Sequence, residues 1–153
     1  MEHHLYMVIK EKKKNHYFNI GGLCPPFGGN MIIVDKESYD RELNHLLSTD
    51  TWVVDVETNG LNSFGMNQIC GIGIATEESA YYFPFRHQQG TNLQPDILVD
   101  LMKHMNTRKN LIGYNIKFDL HFLSQDGLDI TDMNLIDVLV MVRLTEHSTV
   151  KDL

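Results

Sequence analysis

An α/β fold with a mixed β-sheet flanked by helices is predicted from three observations. Three short strand-like runs follow one another at Trp52–Val56, Gln68–Ala75 and Ala80–Phe85, separated by turn signals. A stretch of helical period comes next, with Ile97, Leu98, Leu101, Met102 and Met105 on one face. A further short apolar run, Leu111 to Tyr114, then leads into a second helical stretch. Strands first, then a helix crossing over to another strand, is the order of a mixed sheet covered by helices.

Residues 1–30 differ from the rest. They hold a basic cluster (Lys10, Lys12, Lys13, Lys14) and a turn-rich segment from Gly21 to Gly29, and read as an extended or hairpin-like appendage. A solvated surface suits the basic run better than contact with a nucleic-acid backbone. The apolar run Met31 to Val34 leads to a helix near Ser38–Leu47, with Ser38 as N-cap and Leu43, Leu46 and Leu47 as its apolar stripe. Asn59-Gly60 marks a turn after the first long strand, and the acidic pair Glu77-Glu78 turns the next two strands into a meander. Pro95 suits the first turn of the crossover helix. Phe118, Phe122 and Leu123 mark the helix after Tyr114, and a last helix is expected over Leu135–Leu144.

With 153 residues and 42% hydrophobic content the chain can bury one proper core. The net charge of −7 argues against a protein that coats duplex nucleic acid non-specifically. An enzyme gripping a nucleic-acid end is compatible with it, because bound cations alter the local potential. Cys24 and Cys70 have no metal-ligand spacing and no disulfide framework, so both are expected as reduced thiols. No apolar run approaches the roughly 20 residues that span a membrane, and no signal-peptide pattern opens the chain. A soluble, cytoplasmic protein that does not engage membranes is the expectation. Eight histidines are present, none arranged as a paired zinc motif.

The chemistry lies in three acids. Asp55 and Glu57 are two apart in a strand, so their carboxylates leave the same face. Asp119 falls in the first turn of the helix after Leu111–Tyr114. If the two strands are neighbours, the three acids gather at the strand ends, where open α/β sheets bind ligands. Close carboxylates repel unless cations neutralise them, and hard oxygen donors suit Mg2+ or Mn2+. Asp55 and Glu57 could instead line a solvated strand face, but the apolar run Trp52-Val53-Val54 reads as a strand buried on both sides. Asp119 could simply favour a helix dipole. Asp137 reads as a helix-terminal acid rather than a ligand.

Two segments carry a family resemblance: "DVETNGLNS" beginning at Asp55 and "NIKFDLHFL" beginning at Asn115. They resemble the first two motifs of the DEDD (DnaQ-like) 3′–5′ exonucleases, and most nearly the proofreading domains of family A DNA polymerases, with ribonuclease D-type enzymes nearby. The segment from Ile136 to Met141 resembles the helix that follows the second motif. The resemblance covers residues 31–153 and implies a ribonuclease H-like fold and a two-metal-ion phosphodiester hydrolysis with Mg2+ or Mn2+. It implies that Asp55 bridges both ions, that Glu57 binds the ion nearer the attacking water, and that Asp119 serves the second ion. It also implies that Thr58 and Leu61 hold the 3′-terminal nucleotide, Leu61 as a wedge between bases, although Leu61 packing under its turn is equally open. Asn115 would contact substrate or brace the site, and Phe118 would contact substrate or belong to the core. Lys117, Arg86 and His87 read most simply as solvated surface.

The family's fourth carboxylate lies in a third motif well past Asp137, and the sequence stops at Leu153 before it. His147 and Asp152 mimic its spacing, but only fourteen residues lie between Asp137 and Asp152. The domain is therefore expected to be C-terminally incomplete and weak or inactive alone, with a polymerase domain in the same or another chain, or a second copy, as partner. The expected function is 3′–5′ exonuclease action on single-stranded or frayed DNA ends. The alternatives are a non-catalytic module that binds a 3′ end or docks a partner, and a ribonuclease D-like enzyme acting on RNA.

Overall fold

The computed structural model describes residues 31–148. The expected N-terminal appendage, with its basic cluster and Cys24, and the terminal Asp152 lie outside the described residues. Ten elements follow in order: β1 (Ile32–Ile33), α1 (Tyr39–Leu46), β2 (Thr51–Thr58), β3 (Ile69–Ala75), β4 (Ala80–Pro84), α2 (Pro95–Met105), β5 (Asn110–Gly113), α3 (Ile116–Gln125), β6 (Asn134–Asp137) and α4 (Val138–Ser148). The strands form one mixed sheet in the order β1-β4-β3-β2-β5-β6, flanked by helices.

The expected meander is present. β2 pairs antiparallel with β3, and β3 antiparallel with β4, with Val54 opposite Ile74 and Val56 opposite Ile72. The crossover through α2 then brings β5 alongside β2 in parallel, with Trp52 opposite Leu111. A parallel neighbour needs such a crossover, because a hairpin can only return a strand antiparallel. Pro95 occupies the start of α2, where its missing N–H costs nothing, and Leu98, Leu101, Met102 and Met105 turn inward. The short β1 adds in parallel to the outer edge of β4, covering an otherwise open edge.

Two local expectations change. Leu135 and Ile136 belong to strand β6, parallel to β5, and the last helix begins only at Val138. The apolar run continues through both elements, so periodicity alone does not divide it. The free edge of β5 does, by offering backbone partners to Asn134–Asp137. Asp137 then stops the strand and opens α4, its Oδ1 accepting the Leu139 N–H at 2.9 Å. Ser38, in turn, does not cap α1 with its side chain. Its hydroxyl bonds back to Asp35 Oδ1 at 2.7 Å, while that same carboxylate oxygen accepts the Ser38 N–H. The pair closes the turn ahead of the helix, which leaves Ser38 nothing to offer forward.

Trp52 anchors the core. It is fully buried, its Nε1–H donates to the Leu46 carbonyl at 2.9 Å, and the Arg108 guanidinium lies 5.3 Å from its ring centre. Around it pack Leu46 from α1, Leu101 and Met105 from α2, Leu111 from β5, and Phe122 and Leu123 from α3. Among the described residues, no helix is long and apolar enough to cross a membrane. Replacing Trp52 by Phe keeps most of the apolar volume but leaves the buried Leu46 carbonyl without its donor. Urea unfolding followed by circular dichroism is expected to show a loss of about 1–3 kcal/mol for Trp52→Phe and about 3–5 kcal/mol for Trp52→Ala.

Candidate active site

β2 alternates along its length. Trp52, Val54 and Val56 are buried in the core, while Asp55 and Glu57 leave the opposite face half-buried. Across the antiparallel pair, Asp55 faces Gly73 and Glu57 faces Gly71. Neither carboxylate therefore meets a side chain from its direct partner on β3. The space over Gly71 is taken by Tyr82, since a Cβ at residue 71 would overlap the Tyr82 hydroxyl. Tyr82 comes from β4, where it pairs with Gly73, so it reaches diagonally across the glycine face beside the two acids.

Tyr82 is buried, and its hydroxyl shares a 2.7 Å hydrogen bond with His87 Nε2. Burial, then the negative charge of Glu57, hold its phenol far above the usual tyrosine range. A neutral phenol thus stands beside the carboxylates as a hydrogen-bonding group without charge. At the end of β2 the register slips: Glu57 pairs with Gly71 and Thr58 with Ile69, which leaves Cys70 as the extra residue of a bulge. The Phe85 and Arg86 N–H groups close on the Cys70 carbonyl at 2.8 and 3.0 Å, and Arg86 Nη1 donates to the Ile69 carbonyl at 2.7 Å. Burial raises the Cys70 thiol above its usual range.

Asp119 arrives from the other side of β2. Pairing with β5 stops at Val53, so β2 runs on past its parallel neighbour. The chain leaves β5 at Gly113 and enters α3 through Asn115, whose φ of 57° and ψ of 44° are left-handed. Asparagine tolerates that conformation better than most residues. The Asn115 N–H donates to Asp137 Oδ1 at 2.9 Å, so the acid that opens α4 also fixes the start of α3. One turn in, Asp119 is only 4% exposed, and its Oδ1 accepts the Val56 N–H at 2.9 Å. Val56 is the residue between Asp55 and Glu57. The third acid is thereby docked on the same short stretch of strand as the first two.

The residues expected to meet a substrate divide. Thr58 directs its hydroxyl to the Gly60 carbonyl at 2.7 Å and is half-buried. Leu61 does not pack under its turn and is 87% exposed. Asn115 is exposed, with its backbone holding the strand-to-helix turn. Phe118 packs against the core, its ring centre 5.1 Å from that of Phe122. Lys117 is solvated as expected, whereas Arg86 and His87 are half-buried braces around the β3 bulge and Tyr82. Sequence reasoning passed over Tyr82 and the dual capping by Asp137. The first was visible only as an apolar strand residue; the second needs the β5–β6 pairing to be known.

Among the described residues, no group of three or more His, Cys, Asp or Glu is arranged to enclose a metal ion. The donor chemistry nevertheless suits a hard divalent cation: two half-buried carboxylates share a face floored by glycines, and a third is held at the intervening amide. Nitrogen and sulfur ligands that would favour zinc are not part of that set.

A family model described as a 3′–5′ exonuclease, of the DNA polymerase A type, matches residues 31–149. No curated protein sequence matches the chain. Among solved structures, the fold is similar to the RNase domain of yeast Pop2, with a TM-score of 0.57, 10% identity, and 80% of this chain and 72% of that one covered. It is similar to the EXO domain of Aedes aegypti Nibbler, with a TM-score of 0.55 and 16% identity, covering 78% of this chain. The chain spans 58% of the length of that Nibbler domain. A third match is S. pombe Pop2p in its Mg2+ and Mn2+ bound form, with a TM-score of 0.51, 12% identity and 76% of each chain covered. The fold is ribonuclease H-like.

The docking of Asp119 can be separated from its charge. Asp119→Ala leaves the buried Val56 N–H unpaired and is expected to lower stability by about 1–3 kcal/mol. Asp119→Asn retains an acceptor oxygen and is expected to lose less than half as much, as read by thermal denaturation in the absence of divalent cations.

Proposed function

The chain belongs to the 3′–5′ exonuclease family of DNA polymerase A type, and from that membership we propose that residues 31–153 act as a metal-dependent 3′–5′ exonuclease domain on single-stranded or frayed DNA 3′ ends. The observation that carries this reading is the placement of Asp119 on the amide between Asp55 and Glu57. Three acids are brought to one stretch of strand, one of them buried, and oxygen donors gathered in this way suit a divalent cation. A cation-dependent reaction gives that arrangement a use.

In this reading Asp55, Glu57 and Asp119 would hold two Mg2+ or Mn2+ ions, which when bound would neutralise phosphate charge and make water a nucleophile near neutral pH. S. pombe Pop2p, whose fold is similar, has been seen with both metals, which supports this choice. Glu57 would orient the attacking water, and the Tyr82 hydroxyl, held by His87, fills the space over Gly71 opposite Glu57. Thr58 and Leu61, where the chain leaves β2, grip the terminal nucleotide, with Leu61 free to enter between bases. Asn115 holds the turn that carries Asp119, and Phe118 supports the site from the core side. The water oxygen bonds to phosphorus, the bond from phosphorus to the 3′ oxygen of the preceding nucleotide breaks, and a nucleoside 5′-monophosphate leaves.

The test is a 5′-labelled single strand, as DNA and as RNA of the same sequence, incubated with Mn2+. DNA is expected to shorten weakly but stepwise from its 3′ end, as the sequence resemblance implies for this chain, and Asp55→Ala to slow this further by about a hundredfold or more. Faster shortening of RNA would replace the DNA assignment with an RNA one. Mn2+-dependent binding of the 3′ end with no shortening would favour a non-catalytic end-binding module. Neither binding nor shortening would overturn the nuclease reading.

A further inference from the structure

The loop 59–68, between β2 and β3, presents three large apolar side chains to solvent: Leu61 at 87%, Phe64 at 85% and Met66 at 96% exposure. Single exposed apolar residues are ordinary, but three within six residues at the mouth of a candidate site are not. The loop that carries them is tied down at its feet and its middle. Asn59 and Gln68 exchange hydrogen bonds, Asn59 N–H to the Gln68 carbonyl at 3.1 Å and Gln68 N–H to Asn59 Oδ1 at 2.7 Å. Within it, the Phe64 N–H donates to Asn62 Oδ1 at 3.0 Å and Asn67 Nδ2 to the Asn62 carbonyl at 3.1 Å. Gln125 on α3 donates to the carbonyl of buried Ser63. The backbone could have turned these side chains inward; it is fixed so that they point out.

Phe64 also has a companion. Its ring centre lies 5.4 Å from that of His121, with the planes at 60°. His121 is exposed and follows Asp119 by two positions on α3. Lys117, His121 and Gln125 are spaced four apart and so share one face of that helix. Gln125 anchors the loop, His121 meets Phe64, and Lys117 lies one turn nearer the start of α3. The platform is linked to the carboxylate site along the chain, through Leu61 three residues past Thr58 and through α3, which carries His121 on its solvent face and Asp119 on its buried one. Flat aromatic and thioether surfaces interleaved with an imidazole and an ammonium are the chemistry that takes stacked bases and their phosphates.

We propose that Phe64, with Met66 and His121, forms a second base-stacking subsite that holds nucleotides upstream of the 3′-terminal one, with Lys117 meeting the backbone phosphate. This rests on the exonuclease reading and extends it to the substrate class: a single strand several nucleotides long, since bases in a duplex have no free face to stack. The subsite gives grip on the strand, while the terminal nucleotide stays with Thr58 and Leu61.

The test measures fluorescence anisotropy of 5′-fluorescein oligothymidylates of three and eight nucleotides in Ca2+, with Mn2+-dependent trimming followed in parallel. Phe64→Ala is expected to weaken the longer strand about tenfold and the shorter one less than about twofold. Phe64→Trp is expected to keep the affinity, and its new indole fluorescence to be quenched on binding. Unchanged affinity of Phe64→Ala for the longer strand, or equal losses for both lengths, overturns the subsite and leaves the exonuclease reading standing. A wild-type chain that neither binds nor trims either strand overturns the exonuclease reading and the subsite with it. Because the Phe64 side chain is exposed, both variants should melt with the wild type.

Discussion

The hydrogen bond from the Val56 amide to Asp119 Oδ1 is the constraint on which the remaining geometry depends. β5 accompanies β2 only as far as Val53, so the strand would otherwise run on with an unpaired buried amide. Asp119 supplies the missing acceptor from the first turn of α3. To reach it, the chain must reverse from strand to helix within a few residues, which the left-handed Asn115 permits and Asp137 secures. Fixing α3 then fixes what it carries: Phe118 and Phe122 toward the core, Lys117 and His121 toward solvent, and Gln125 against the loop that follows β2.

Packing sets the arrangement of the acids. The chain is acidic, with a net charge of −7, and three of its acids lie along three consecutive residues of strand or against them. Asp55 and Glu57 are half-buried over a glycine floor, opposite Gly73 and Gly71. Their neighbour across that floor is a neutral phenol, Tyr82, held by His87. Oxygen donors of this kind suit a hard divalent cation. In the proposed function, a cation held there, rather than the mean charge of the molecule, would receive a polyanion end.

The sequence exposed most of the architecture because its periods are clean. Alternation in Trp52–Val56, the helical stripe from Ile97 to Met105, and Asn59-Gly60 as punctuation placed the meander, the crossover and β5. It failed where one apolar run serves two elements: Leu135 and Ile136 look like the start of α4 until the open edge of β5 recruits them. It also failed where a side chain has two partners to choose between, as at Ser38, which turned back to Asp35. The three acids were legible because polar residues inside an apolar run need a reason. Tyr82 was not, because a tyrosine in a strand has an ordinary explanation in packing. Only Gly71, two residues of register away on neighbouring β3, reveals what its hydroxyl reaches.

The central claim is that Asp55, Glu57 and Asp119 form one divalent-cation site around the Val56 amide. Titrating 15N-labelled chain with Mn2+ and following paramagnetic broadening of its amide resonances tests it most directly. Broadening that begins at Asp55–Thr58 and at Asp119, and vanishes in Asp55→Ala, is the predicted result. Broadening centred elsewhere, such as the acidic turn at Glu77-Glu78, or a pattern indifferent to Asp55→Ala, would contradict the account.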